Sequence, residues 1–116
     1  MQFVALVAII PQEEEERGIE IAKNAGAGAV KIINARHIGL EEKKIFFGVT
    51  LEEPMSLLLF ILPKKLSLKV LKALKEELNI ESLENNSLVF TLAIEHIVGI
   101  NKEELKKFED EIKSIL

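Results

Sequence analysis

The sequence contains no cysteine, tryptophan or tyrosine, and only six glycines and three prolines among its 116 residues. The lack of cysteine excludes a disulfide framework, a thiolate zinc site and a cysteine nucleophile, and it is typical of cytoplasmic proteins. The low glycine and proline content indicates an ordered, globular chain. A chain of this length buries a sufficient core without a structural metal. We therefore predict one domain over residues 1–116, located in the cytoplasm.

Charge and apolar runs exclude further classes. The chain carries 15 basic and 19 acidic residues, for a net charge of −4, and it has no basic block, so we expect no nucleic acid partner. Its long apolar runs, residues 3–10 and 57–62, are far shorter than the ~20 residues that cross a bilayer. The first run also lacks the basic flank and cleavage site of a signal peptide. We expect no membrane insertion.

Four segments have the character of strands. Residues 3–10 and 57–62 are unbroken apolar runs, each followed by a proline, which is typical of strands buried on both faces. Residues 29–35 and 87–94 mix apolar with polar side chains, and the latter segment alternates. We therefore expect the first pair to be central in a sheet and the second pair to lie at its edges.

Three segments have the character of helices. Residues 12–24 open with four glutamates that complement the helix dipole, and Ile19 and Ala22 are expected to face inward. Ser67 is the expected cap of a second helix, with an apolar stripe at Leu68, Leu71, Leu74 and Leu78. Asn101 and Glu104 form a capping box for a last helix, with an apolar face of Leu105, Phe108, Ile112 and Ile115.

The order of elements is strand, helix, strand, strand, helix, strand, with a helix at the end. Right-handed crossovers convert this order into a ferredoxin-like βαββαβ sandwich, an α+β fold with an antiparallel sheet and two helices on one face. We predict that residues 3–100 form the core of the domain and that residues 101–116 form the extra C-terminal helix.

The hydrophobic fraction of 48% is high for a small domain. In the two central strands both faces are apolar, although the helices of this fold cover only one. If the second face were exposed to solvent, it would form an apolar patch of several hundred Å², which is more than a monomer usually exposes. Self-association is the simplest explanation. The alternative is that the last helix folds across this face.

The connector over residues 36–54 is longer than ordinary connections and therefore suggests a function. Arg36, His37 and Lys44 are suited to an anion or a partner, while Gly39 and Gly48 permit unusual backbone angles. The alternative is a solvated extension. His37 and His96 lack a third metal ligand at a recognisable spacing, and no nucleophile or phosphate-loop motif is present, so we expect no metal site and no enzyme.

The order of elements and the long connector resemble the PII signalling family over residues 3–100. The segments that carry the resemblance are NARHIGLEEKKIFFGV, MSLLLFIL, KKLSLKVLKALKEELNI and LVFTLAIEHIVGI. They are most similar to the PII-like branch of the P-II family nitrogen regulators. The resemblance implies a homotrimer, an effector bound in clefts between subunits, and a mobile T-loop that contacts a regulated partner protein. The residues it assigns to the effector or partner loop are Arg36, His37, Gly39, Lys44, Phe47 and Gly48, with Asn85 and Asn86 across the cleft.

Three departures from the family leave the effector open. An adenine nucleotide is a candidate, but the turn before the last strand, residues 80–87, has neither the glycine nor the lysine of the usual phosphate site. Asn101 and Lys102 stand where the family has an arginine pair. Regulation through a modified tyrosine is excluded because the chain has none. A CutA-like trimer linked to divalent cations, with His37 and His96 as ligands, is the alternative, and an ACT-like amino-acid sensor ranks lower.

Overall fold

Six strands and three α-helices make up the fold in the computed structural model, which describes residues 1–40, 45–46, 49–50, 52–82 and 86–115. The strands are β1 (Phe3–Pro11), β2 (Lys31–His37), β3 (Ile45–Phe46), β4 (Val49–Thr50), β5 (Glu53–Pro63) and β6 (Leu88–Ala93). The helices are α1 (Glu15–Asn24), α2 (Lys64–Glu77) and α3 (Lys102–Ile115). A short 3-10 turn, Gln12–Glu14, precedes α1.

The main sheet has the strand order β2-β5-β1-β6, and each neighbouring pair is antiparallel. β1 and β5 are its central strands, so the prediction from their solid apolar runs is confirmed. β3 and β4 pair with each other in a separate two-stranded ladder within the connector. The α+β, ferredoxin-like fold predicted from the order of elements is confirmed.

The core lies between this sheet and the first two helices. Alternate residues of the central strands point toward the helices, and the strand register aligns them in pairs such as Leu6 with Phe60 and Ala8 with Leu58. The helices contribute Ile21 and Ala22 from α1, and Leu66, Val70 and Leu74 from α2. Completely burying one such side chain stabilises the fold by about 1.5–3 kcal/mol.

The second helix begins earlier than predicted. Its N-cap is Pro63, and the Ser67 hydroxyl lies inside the first turn, where it donates a hydrogen bond of 2.7 Å to the carbonyl of Lys64. The predicted stripe was wrong at Leu68, which is 56% exposed. More than one set of leucines in this segment has the spacing of a helical stripe. Packing against the sheet determines which set is buried, namely Leu66, Val70 and Leu74.

The first helix and the second strand also differ from the prediction. Residues 12–14 form a 3-10 turn, and the α-helix starts only at Glu15. β2 starts at Lys31 and extends through Arg36 and His37, because these two residues pair with Pro54 and Glu53 of β5. The assignment of Arg36 and His37 to a loop was therefore wrong, and both are strand residues.

The last helix is capped and anchored as its sequence predicts, but the predicted apolar face was wrong at Ile115, which is 44% exposed. The Asn101 side-chain oxygen accepts a hydrogen bond of 2.7 Å from the backbone N–H of Glu104. Phe108 is 1% exposed and packs edge-on against Phe3, with 6.4 Å between the ring centroids. No helix in the described part of the chain is long and apolar enough to cross a membrane.

The second face of the sheet, which points away from α1 and α2, is only partly covered, and we call it the open face. Near one end, residues 97–100 border a cavity of about 320 Å³ together with Leu59 and Ile61. Elsewhere the face stays apolar and accessible, with exposed fractions of 51% for Ile33, 57% for Leu88, 37% for Phe90 and 55% for Leu92. The C-terminal segment therefore does not bury the open face.

Candidate functional site

The predicted site residues gather at one end of the main sheet. β1 and β2 end there, and β5 and β6 begin there, because the neighbouring strands are antiparallel. We call this edge the connector end and define it by Pro11, His37, Glu53 and Asn86. The long connector leaves the sheet and returns to it at this edge, which places its two ends beside each other.

Arg36 joins the two ends of the connector. Its Nη1 lies 3.3 Å and 3.1 Å from the two carboxylate oxygens of Glu52, which directly precedes β5. The arginine side chain is 72% exposed, so this ion pair contributes at most about 1 kcal/mol to stability. The guanidinium remains accessible to a ligand.

Glu53 lies between His37 and Asn86 at the connector end. It lies opposite His37 in the β2–β5 register, and its Oε2 accepts a hydrogen bond of 2.8 Å from the side-chain amide of Asn86. Asn86 lies two residues before Leu88, the first residue of β6. The half-buried Glu53 carboxylate therefore joins β5 to the residues before β6, and the strand register places His37 opposite Glu53 on β2.

The 3-10 turn that precedes the first helix adds further polar groups beside Glu53. A cavity of about 380 Å³ is lined by Pro11, Gln12, Glu13, Glu53 and Pro54. Deeper in the same region, the buried Ser56 hydroxyl donates a hydrogen bond of 2.6 Å to Glu15 and so fixes the start of α1 against β5.

The described part of the connector end has more carboxylates than cationic groups. Among these described residues, the carboxylates of Glu13, Glu52 and Glu53 outnumber the single guanidinium, that of Arg36. Such a set suits a ligand that carries hydrogen-bond donors or a positive charge, whereas carboxylates repel a bare polyphosphate. Among the described residues, no group of three histidine, aspartate or glutamate side chains is placed to hold a metal ion.

The structure reaches only some of the predicted site residues. Arg36, His37 and Asn86 are brought together at the connector end, and Gly39 is exposed just beyond β2. Lys44, Phe47, Gly48 and Asn85 lie outside the described residues.

The two histidines of one chain are far apart. His96 follows β6, 90% exposed and 3.7 Å from Glu95, whereas His37 lies at the opposite end of the sheet. The six residues of β6 alone span about 20 Å. His37 and His96 of one chain therefore cannot share a single ion.

The sequence did not predict the contact between Glu53 and Asn86 or the proximity of Gln12 and Glu13 to Glu53. The glutamates of residues 13–16 are predicted only to complement the dipole of the first helix, and Glu52 and Glu53 are not among the predicted site residues. One signal was available, since Glu53 and Pro54 lie shortly before the solidly apolar run of residues 57–62. The contact between Glu53 and Asn86 depends on the pairing of distant strands, which no local pattern encodes.

The fold defined by these elements is the ferredoxin-like fold of PII and CutA proteins, and comparison with solved structures supports this conclusion. A candidate PII-like signalling protein from Thermus thermophilus is 20% identical, with a TM-score of 0.61, and the match covers 81% of this chain and 88% of that one. GlnK from B. subtilis is 14% identical, with a TM-score of 0.62 and coverages of 82% and 87%. The periplasmic divalent cation tolerance protein CutA from Archaeoglobus fulgidus is 14% identical, with a TM-score of 0.61 and coverages of 97% and 99%.

No protein family matches the chain by sequence, and no curated protein does. The resemblance predicted from the sequence is confirmed at the level of the fold.

Proposed function

We propose that this chain is a PII-like regulatory protein. In this proposal it assembles as a homotrimer through the open face and senses a small effector in the clefts between subunits. Residues 36–54 contact a regulated partner protein, and the role requires no catalytic step. The observation that carries the proposal is an apolar, accessible sheet face that adjoins the polar connector end.

The open face supports self-association because its exposed residues are large and contiguous. Leu88, Phe90 and Leu92 occupy alternate positions of β6, where their register partners on β1 are Ile9, Val7 and Ala5. All six side chains lie on the same face of the sheet. A row of this kind on an edge strand is well placed to meet another subunit, and a monomer rarely exposes such a patch.

The position of the polar groups supports an effector site at the subunit boundary. His37 belongs to β2 and Asn86 adjoins β6, and these are the two edge strands of the main sheet. If the open faces meet, the edges of each sheet lie beside neighbouring chains. The residues around Glu53 then line a cleft that a second chain completes, and an effector there can bias the arrangement of the connector.

A ligand panel tests effector sensing. Adenine nucleotides, bicarbonate and divalent cations are added in turn to the purified protein, and the melting temperature and heat of binding are recorded. A ligand at 100 times its Kd adds about 2.7 kcal/mol to stability, which raises the melting temperature by several degrees. We expect at least one such response. No response to any member of the panel would contradict effector sensing.

Two matched variants test whether the effector binds at the connector end. Glu53→Gln replaces the carboxylate of Glu53 at the connector end by an amide of the same shape. Glu103→Gln makes the same change on the exposed surface of α3. The first variant is expected to weaken binding of a cation or of a ligand that donates hydrogen bonds at least tenfold, and the second to leave it unchanged. Equal binding by both variants would move the effector away from the connector end.

A CutA-like role linked to divalent cations is the second candidate. The observation that favours it is the set of oxygen and nitrogen donors at the connector end, with His37 opposite Glu53. Copper and zinc titrations of His37→Ala and His96→Ala, singly and together, test this role. Loss of cation binding on replacing His37 supports it, and retention of binding in the double variant contradicts it.

A further inference from the structure

We propose that the cavity at the opposite end of the molecule binds a monomeric anionic amphiphile, a carboxylate with an apolar tail. We call this cavity the distal cavity. It is bordered by the residues before β1, by Pro63 and the start of α2, and by the last turns of α3. The length of β1 separates it from the connector end by roughly 25–30 Å. The proposal is therefore independent of the proposed function.

The size and lining of the distal cavity suit an apolar tail. Its volume is about 450 Å³, within the range of small-molecule sites. Met1 and Ile112 supply apolar surface, and the buried Pro63 lies behind them in the wall. The start of the second helix is held in place there, because the backbone N–H of Lys64 donates a hydrogen bond of 2.8 Å to the carbonyl of Gln2. One wall of the cavity is thus fixed to the sheet.

The charge around the distal cavity suits an anionic head group. Lys64, Lys65 and Lys113 line it, and among the described lining residues only Glu109 carries a carboxylate, although the whole chain has a net charge of −4. None of the three ammonium groups forms an ion pair with another described residue. The aliphatic stems of these lysines extend the apolar wall while their charges stay at the rim.

The start of the second helix adds to this positive potential. Its first turn contains no acidic residue, and Pro63 offers no side-chain cap. Two lysines therefore lie at the positive end of the helix dipole. An anion at the rim relieves the repulsion among these charges, whereas a neutral or cationic ligand does not. The combination of apolar depth and basic rim selects an amphiphilic carboxylate.

A free amphiphile fits this site better than a membrane surface. The apolar groups line a concavity rather than a protruding patch, and the acidic chain as a whole is repelled by an anionic bilayer. The ligand is therefore a single amphiphile molecule, free of any micelle or membrane, whose tail lies in the distal cavity.

Decanoate is a suitable probe below its micellar concentration, with decanol and decylamine as ligands of matched tail and different charge. Binding is measured by calorimetry, and the site is located by NMR of the methyl groups of Met1 and Ile112 against those of Leu88 and Leu92 on the open face. We expect submillimolar binding of decanoate alone, with shifts confined to Met1 and Ile112. Equal binding of the three ligands, or shifts confined to the open face, would overturn the proposal.

The lysines are tested with a matched pair of double variants. Lys64→Gln with Lys65→Gln changes the rim, whereas Lys69→Gln with Lys72→Gln makes the same change farther along the exposed surface of α2. We expect the rim variant to bind decanoate at least tenfold more weakly, with a smaller dependence on salt, and the control to bind as the parent does. Equal affinities, or flotation with phosphatidylglycerol vesicles without decanoate binding, would contradict the assignment.

Discussion

Replacement of Leu92 by glutamate places a charge in the middle of the proposed subunit contact. Leu92 is 55% exposed on the open face, on the edge strand β6. The matched control is Leu68→Glu, because Leu68 is 56% exposed but lies on α2, which covers the other face of the sheet. The two variants change the same residue type at the same exposure, so only the position of the charge differs.

The expected magnitude follows from the exposed area. Complete burial of a leucine, isoleucine or phenylalanine contributes about 1.5–3 kcal/mol, and roughly half of that remains to be gained at each of four positions. Ile33, Leu88, Phe90 and Leu92 together therefore supply about 3–6 kcal/mol of association energy per chain. A glutamate at position 92 removes the contribution of Leu92 to this association energy. It also adds the cost of burying an unpaired carboxylate in the contact. The sum is at least about 3 kcal/mol, or roughly 100-fold in affinity.

Sedimentation velocity over a concentration series measures this effect. The parent and Leu68→Glu are expected to remain assembled at micromolar concentration, while Leu92→Glu dissociates to monomers at the same concentration. Circular dichroism of the dissociated variant checks that its secondary structure is retained. Identical sedimentation of both variants would refute the assignment of the open face as a subunit contact.

Three further predictions concern the stability of the fold, and each is measured by urea unfolding. Phe108→Ala removes the buried anchor of α3 and should cost about 3–5 kcal/mol, whereas Ile115→Ala, at a 44% exposed position, should cost less than about 1 kcal/mol; equal costs would contradict the packing of α3. Ser56→Ala deletes the hydrogen bond to Glu15 and should cost about 1 kcal/mol, and an unchanged midpoint would show that this bond contributes nothing. Asn101→Ala removes the cap of α3 and should cost about 0.5–2 kcal/mol, with loss of helical signal before the main transition.

The order and arrangement of the main strands could be predicted from the sequence because burial leaves a strong local pattern. A strand covered on both faces needs apolar residues at every position, so the solid runs around Leu6 and Phe60 identify the central strands. The cap at Asn101 was also predictable, because its partner lies only three residues away. In both cases the cause of the structure lies within the segment itself.

The errors arose where a distant segment decides the outcome. Arg36 and His37 have little apolar character, yet they extend β2 because Pro54 and Glu53 of β5 lie opposite them. In α2, Leu66 and Leu68 both fit an apolar helical stripe, and contact with the sheet selects Leu66. The same reason explains the candidate site, since Glu53 and Asn86 meet only after β5, β1 and β6 have paired. Tertiary pairing therefore limits what local patterns can predict.

The mass of the parent protein in solution tests the central claim most directly. Sedimentation equilibrium at micromolar concentration should give three times the 13.0 kDa mass of the chain, because three open faces bury one another in the proposed assembly. A stable mass of 13.0 kDa at every concentration would contradict the account, since the open face would then remain exposed and no cleft between subunits would exist.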